Sequence, residues 1–193
     1  MAKNTEVSFS DQYYKVASGL DEIYLLVVGQ DPYPTGANGV AFCKNKFPDF
    51  FDEYCCGKDV LYSLGISEEF ARSEYLSPKE CFMRLLTSQK ICFINARNEL
   101  TENPSDQELE AQLQLAKIFN MPFIMKAKNI VLLGKVKTKM YFDSYQSGYS
   151  YGEVLIHPTS RNKNKTSLPE WTKVWGNKYL QKKYDLKIGK DLT

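Results

Sequence analysis

A chain of 193 residues, with 43% hydrophobic and 25% charged side chains, is long enough to bury one sizeable core and has the make-up of a globular protein. Five cysteines, an odd number with no C-x-x-C pair, argue against a disulfide framework and against a structural zinc or iron–sulfur site, so reduced and buried thiols are expected. No apolar run approaches the ~20 residues of a membrane span, and the first residues, MAKNTEVSFSDQYYK, hold no apolar core of signal-peptide length, so a cytoplasmic location is expected, or a nuclear one in a nucleated host.

The first clear element is IYLLVV (23–28), a continuous apolar run of the kind that fills a strand covered on both faces. It stops at Gly29 and is followed by Gln30-Asp31-Pro32-Tyr33. Residues 45–77 are aromatic-rich and expected to be partly helical. PKECFMRLLTSQ begins with a proline suited to a first helical turn. KICFIN (90–95) reads as the second strand. SDQELEAQLQLAKIF reads as a helix, with Ser105 as N-cap and Glu108 three residues on forming a capping box. NIVLLG (129–134) is the third strand, KTKMYFDSY a helix, and EVLI (153–156) the fourth strand. PEWTKVWGNKYLQKKY reads as a closing helical stretch. This alternation predicts an α/β fold, one domain over 1–193, with a doubly wound, mostly parallel four-stranded sheet flanked by helices.

Ligands of such sheets bind beyond the carboxyl ends of the strands. The residues that follow the four strands are Asp31 in Gly-Gln-Asp-Pro-Tyr, Asn95 leading into Ala96-Arg97-Asn98, Gly134-Lys135, and His157-Pro158-Thr159-Ser160-Arg161, which contains the single histidine. Taken singly, Asp31 fits a turn before proline, Asn95 a strand-end cap, and His157 the end of a strand. Their convergence on one rim is what points to a site. The chain has no G-x-x-x-x-G-K-[ST] and no G-x-G-x-x-G opening a helix, which disfavours a nucleotide hydrolase and a dinucleotide oxidoreductase. Charge is uneven: from Arg161 onward nine basic residues stand against three acids, and Lys126, Lys128, Lys135, Lys137 and Lys139 form a second basic group in the sequence. Such clustering is compatible with a polyanion site or with a solvated surface.

GQDPY after the first strand, Phe42, the apolar strand ending in Asn95, and HPT after the last strand together resemble the uracil-DNA glycosylases. The resemblance runs from about Leu25 to the C-terminal helix, with the motifs in the family's order. It implies a fold of that family and hydrolysis of the N-glycosidic bond of uracil in DNA, for base excision repair. In that reading Asp31 stabilises the sugar cation and positions the water, and His157 donates to the departing base. A backbone N–H near Gln30 assists. Phe42 stacks on the flipped base, Asn95 reads its Watson–Crick edge, and Tyr33 excludes the thymine methyl group. Thr159, Ser160, Arg161, Lys135, Lys137 and Lys163 would meet DNA phosphates, and Lys165 would add to their field. The resemblance implies no cofactor and no metal. The expected partner is single- or double-stranded DNA containing uracil, met by a monomer away from membranes. Two positions depart from the family's pattern. Pro34 stands where its first motif has a second histidine, and Arg161 stands where its second motif has a wedge leucine. A glycosylase of the same fold acting on another modified or deaminated base, and a catalytically silent DNA- or protein-binding module, are the alternatives.

Overall fold

The computed structural model describes residues 9–33, 38–52, 55–99, 103–145, 148–158 and 169–188. Four parallel strands, β1 (Ile23–Gly29), β2 (Ile91–Asn95), β3 (Ala127–Leu133) and β4 (Glu153–Leu155), lie in the order β2-β1-β3-β4. All three pairings are parallel, where the sequence predicted a mostly parallel sheet. The chain leaves β1 toward β2 on one side, and β3 toward β4 on the other. The order therefore reverses between β1 and β3, which makes the gap between their carboxyl ends the topological switch point.

Burial explains the continuous apolar runs. Every residue of β2 is buried, and in β1 only Tyr24 is partly exposed. Helix α1 (Phe9–Gly19) covers the outer edge of β2: the Phe93 N–H donates to the Tyr13 hydroxyl at 3.1 Å, and the Tyr14 hydroxyl donates to the Phe93 carbonyl at 3.3 Å. An edge strand that would present unpaired backbone groups is thereby satisfied by side chains.

Between β1 and β2 run the short helices α2 (Phe47–Phe50), α3 (Cys56–Ser63) and α4 (Glu68–Glu74), then α5 (Pro78–Gln89). Helix α5 has the boundaries its sequence predicted: Ser77 caps its start, Pro78 fills its first turn, and Lys90 at φ 55° ends it in the left-handed conformation. Helix α6 (Asp106–Lys126) opens with the expected capping box of Ser105 and Glu108 but runs well past the expected Phe119. It passes through Pro122, which lies on the exposed side, while Phe123 and Ile124 beside it are buried; tertiary packing outweighs the proline's missing donor. Helix α7 (Lys137–Asp143) follows β3. The closing stretch is two helices, α8 (Pro169–Trp175) and α9 (Tyr179–Lys183), because Lys178 takes a left-handed conformation at φ 51° and breaks the register after Gly176. The five cysteines are all buried free thiols, as their spacing predicted. No helix among the described residues is long and apolar enough to cross a membrane.

Candidate active site at the carboxyl rim of the sheet

The β1–β2 ladder continues past the strand ends. The Ala96 N–H donates to the Gly29 carbonyl at 2.8 Å, and the Arg97 N–H donates to the Gln30 carbonyl at 3.0 Å. This pairing fixes the backbone on which the rim side chains stand. Gly29 lies opposite Asn95 in the register. A Cβ on Gly29 would sit 2.7 Å from the tip of the Phe42 ring and 2.9 Å from Asn95 Oδ1, so the missing side chain lets the ring and the amide meet over the end of β1. Phe42 and Asn95 are thus both packed against the end of β1.

Phe42 holds a left-handed φ of 64° and is 5% exposed. A phenylalanine keeps such a conformation only where its surroundings fix it. Its ring packs edge-on against Phe93, with centroids 6.3 Å apart. A Cβ on Gly57 would fall 2.1 Å from the Phe42 carbonyl oxygen, so α3 closes directly on this backbone.

The same helix start seats Tyr33. The Gly57 N–H donates to the Tyr33 hydroxyl at 2.9 Å, and the Cys55 and Cys56 sulfurs lie 3.1 and 3.0 Å from it. Burial, and then the adjacent Cys56 and Cys55 thiols, hold the phenol well above the ordinary tyrosine range. Burial pushes the Cys56 thiol up to about 12. The hydroxyl end of Tyr33 is therefore anchored, and the residue stays within reach of the Phe42 backbone. Part of the 45–77 region, unassigned from sequence, has this role.

Asp31 does not stand alone at the rim. Its Oδ1 accepts from Arg97 Nε at 2.6 Å, and its Oδ2 accepts from Gln30 Nε2 at 2.5 Å. The two side chains of the ion pair are 12% (Asp31) and 6% (Arg97) exposed. The Arg97 guanidinium also lies over the Tyr141 ring at 5.7 Å, which ties the end of β2 to α7 and so to the loop after β3. Sequence reading placed Arg97 in the rim loop without giving it a role. A cation two residues beyond a buried strand end, facing a rim that holds a buried acid, was the available signal.

Behind Asn95 lies a second buried network. Asn120 Nδ2 donates to the Asn95 carbonyl at 2.8 Å and to the Tyr145 hydroxyl at 3.0 Å, and that hydroxyl donates to the Ala96 carbonyl at 2.5 Å. Helix α6 and the end of α7 thus brace the backbone on both sides of the rim amide.

His157 follows β4 and is half-buried; its Cδ2 lies 3.6 Å from where a Gly134 Cβ would be, at the end of β3. Trp171 Nε1 donates to the Pro158 carbonyl at 2.9 Å, so α8 pins the turn that carries the histidine. In the order β2-β1-β3-β4, the strands leading to Asp31 and His157 are separated by one strand, which spaces their axes by about 10 Å. Lys135 and Lys137 are exposed beside this gap, and Lys135 pairs with Glu170 at 2.6 Å. The basic group 126–139 is not one patch. Lys126 and Lys128 flank the first residue of β3, at the opposite end of that strand, where Lys128 meets Glu22 at 2.8 Å. Lys139 pairs with Asp143. Thr159, Ser160, Arg161, Lys163 and Lys165 lie outside the described residues, as does Pro34.

In comparison with known proteins, the chain matches no protein-family model and no curated protein sequence. The fold defines it as an α/β protein with a parallel four-stranded sheet flanked by helices.

Proposed function

We propose that the protein is a DNA glycosylase of the uracil-DNA glycosylase type, which hydrolyses the N-glycosidic bond of uracil in DNA. The observation that carries this reading is that the Phe42 ring and Asn95 Oδ1 both close on the empty Cβ position of Gly29, two residues before Asp31. An aromatic face, an amide and a carboxylate are what excision of a flipped base needs. Phe42 supplies the stacking surface. The Asn95 amide can donate to uracil O4 and accept from N3–H. Cytosine offers the reverse pattern there, and unpaired buried groups reject it.

Bond cleavage leaves positive charge on the sugar, as in other glycoside hydrolyses. In this reading Asp31, oriented by Gln30 and Arg97, stabilises that charge and holds the attacking water. The leaving base carries negative charge, and a preorganised donor to it is worth on the order of 10²–10³ in rate. His157, across the gap from Asp31, is assigned this role. Tyr33, anchored through its hydroxyl, presents a fixed ring against a 5-methyl group. Lys135 and Lys137 would add a salt-dependent attraction for phosphate, weakened at Lys135 by Glu170.

The test is incubation with an oligonucleotide bearing a single uracil, followed by alkaline cleavage. Strand breaks at the uracil, lost in Asp31→Asn, support the reading. Intact single- and double-stranded substrates sink it. One observation favours a second reading. The Asp31 carboxylate is already neutralised by Arg97, an arrangement that also suits a silent nucleic-acid-binding module. In that case uracil-containing and ordinary oligonucleotides would bind equally and neither would be cut.

A further inference from the structure

Helix α6 has a second apolar face that packs on nothing within the described chain. Its core side carries Ala116, Asn120, Phe123 and Ile124. On the opposite side Ala111, Leu115, Ile118, Pro122 and Met125 succeed one another at intervals of four, three, four and three residues, all exposed. Leu115, Ile118 and Met125 are 60%, 71% and 64% exposed. Of the eight large hydrophobic residues most exposed among the described residues, four lie on this helix, the fourth being Phe119. Scattered apolar residues need no explanation, but a contiguous stripe does. Spacing of four and three is that of a helix seam that receives another helix.

The charges beside the seam select the occupant. Glu108 and Lys126 are eighteen residues apart, five full turns at ~3.6 residues each, so they lie on the same flank of α6. Their midpoint is residue 117, next to Ile118 at the centre of the seam. When two such helices pair antiparallel about a two-fold axis at that point, each Glu108 meets the other copy's Lys126, and the contact occurs twice. Parallel pairing would instead put the two Glu108 side chains on opposite flanks of the seam and bring neither near a Lys126. Both groups retain bonding capacity. The two Ser105 bonds to Glu108 use Oε2 alone, and the Lys126 ammonium, which donates to the Ser18 carbonyl at 2.6 Å, has three donors.

We propose that this face is a self-association surface, on which a second copy of the chain docks antiparallel through α6, centred on Ile118. The seam from Ala111 to Met125 is about 21 Å long. One helix face of that length falls below the ~800 Å² per partner of a standard complex, so the dimer is a weak one.

Sedimentation velocity on the full chain, from about 5 to 500 µM, reads the association directly, with no reference to activity. The expected result is a concentration-dependent rise from the 22.2 kDa monomer to twice that mass. Ile118→Glu, at an exposed position, should hold the chain monomeric across the range with an unchanged melting temperature; Leu115→Gln replaces it if that variant does not fold. Glu108→Lys and Lys126→Glu should each weaken the dimer at least tenfold, and the two together should restore it. A wild-type chain that stays monomeric at 500 µM overturns the proposal. So does a dimer that survives Ile118→Glu, or a double charge swap that fails to recover association.

Discussion

Arg97 donates its Nε–H to Asp31 Oδ1 across 2.6 Å, with both side chains almost wholly removed from water. Removing one partner of a buried pair strands the other charge, which typically costs about 3–5 kcal/mol. Arg97→Met should therefore be strongly destabilising in chemical denaturation. The double variant Asp31→Asn, Arg97→Met should lose clearly less than the two single losses combined. Strict additivity would mean that the two side chains are not coupled.

Asn95 is expected to set base choice through the direction of its hydrogen bonds. In Asn95→Asp the new carboxylate can accept from the cytosine amino group. Excision of cytosine should become measurable on a cytosine-containing oligonucleotide, while uracil excision falls. Persistent uracil activity with no trace of cytosine excision would remove Asn95 from the recognition role.

Two changes at Tyr33 separate its anchor from its ring. Tyr33→Phe keeps the ring and loses the hydroxyl contacts with Gly57 N–H, Cys55 and Cys56. It should cost roughly 1–2 kcal/mol of stability and leave thymine excluded. Tyr33→Ala should admit thymine, detected as cleavage at thymine positions. A thymine background identical in Tyr33→Ala and wild type would rule out the gate.

Gly29→Ala tests the convergence itself. Its Cβ would press on the Phe42 ring and on Asn95 Oδ1, at 2.7 and 2.9 Å. A displaced platform should lower excision about 100-fold, while stability falls only by roughly 1–3 kcal/mol, the usual range for overpacking. Equal catalytic rates in the two proteins would show that the geometry over Gly29 does not matter to the reaction.

Alkali should destabilise the fold. Burial holds Cys43, Cys56 and Cys92 up to about 12, against an ordinary thiol value of 9.0. These folded-state values are raised, so the stabilisation is complete below about pH 9 and is lost as pH climbs from there toward 12. The loss at pH 10 is about 1 kcal/mol for each fully buried thiol. Melting temperature should hold steady from pH 7 to 8.5 and decline above it. A flat profile to pH 11 would contradict the burial of these thiols.

The strands were legible because a sheet covered on both faces needs unbroken apolar runs, and the runs ending at Val28, Asn95, Gly134 and Ile156 coincide with observed strands to within two residues at either end. The start of α6 was legible because a capping box is a local chemical signal. Its end was not, because Pro122 is tolerated only through the burial of Phe123 and Ile124, a tertiary effect. The break between α8 and α9 rests on the left-handed Lys178, a residue type with no special claim to that conformation. At the rim, the positions of Asp31, Asn95 and His157 could be read from the strand ends, whereas Phe42 came only from the family resemblance. The Arg97 pair and the seat of Tyr33 on Cys55, Cys56 and Gly57 could not. They join residues 66 and 22 to 24 positions apart, and no local pattern carries such a contact.

The strand that ends in Asn95 owes its isolation to two tyrosines of α1. Tyr13 and Tyr14 occupy the backbone groups of Phe93 that would otherwise be open to a neighbouring molecule. A chain cut before residue 20 would lose more than a helix: the bared strand would become a template on which another chain could add a strand, and so grow a shared sheet. Proteolysis in this region would then spread as precipitation rather than remain a local nick.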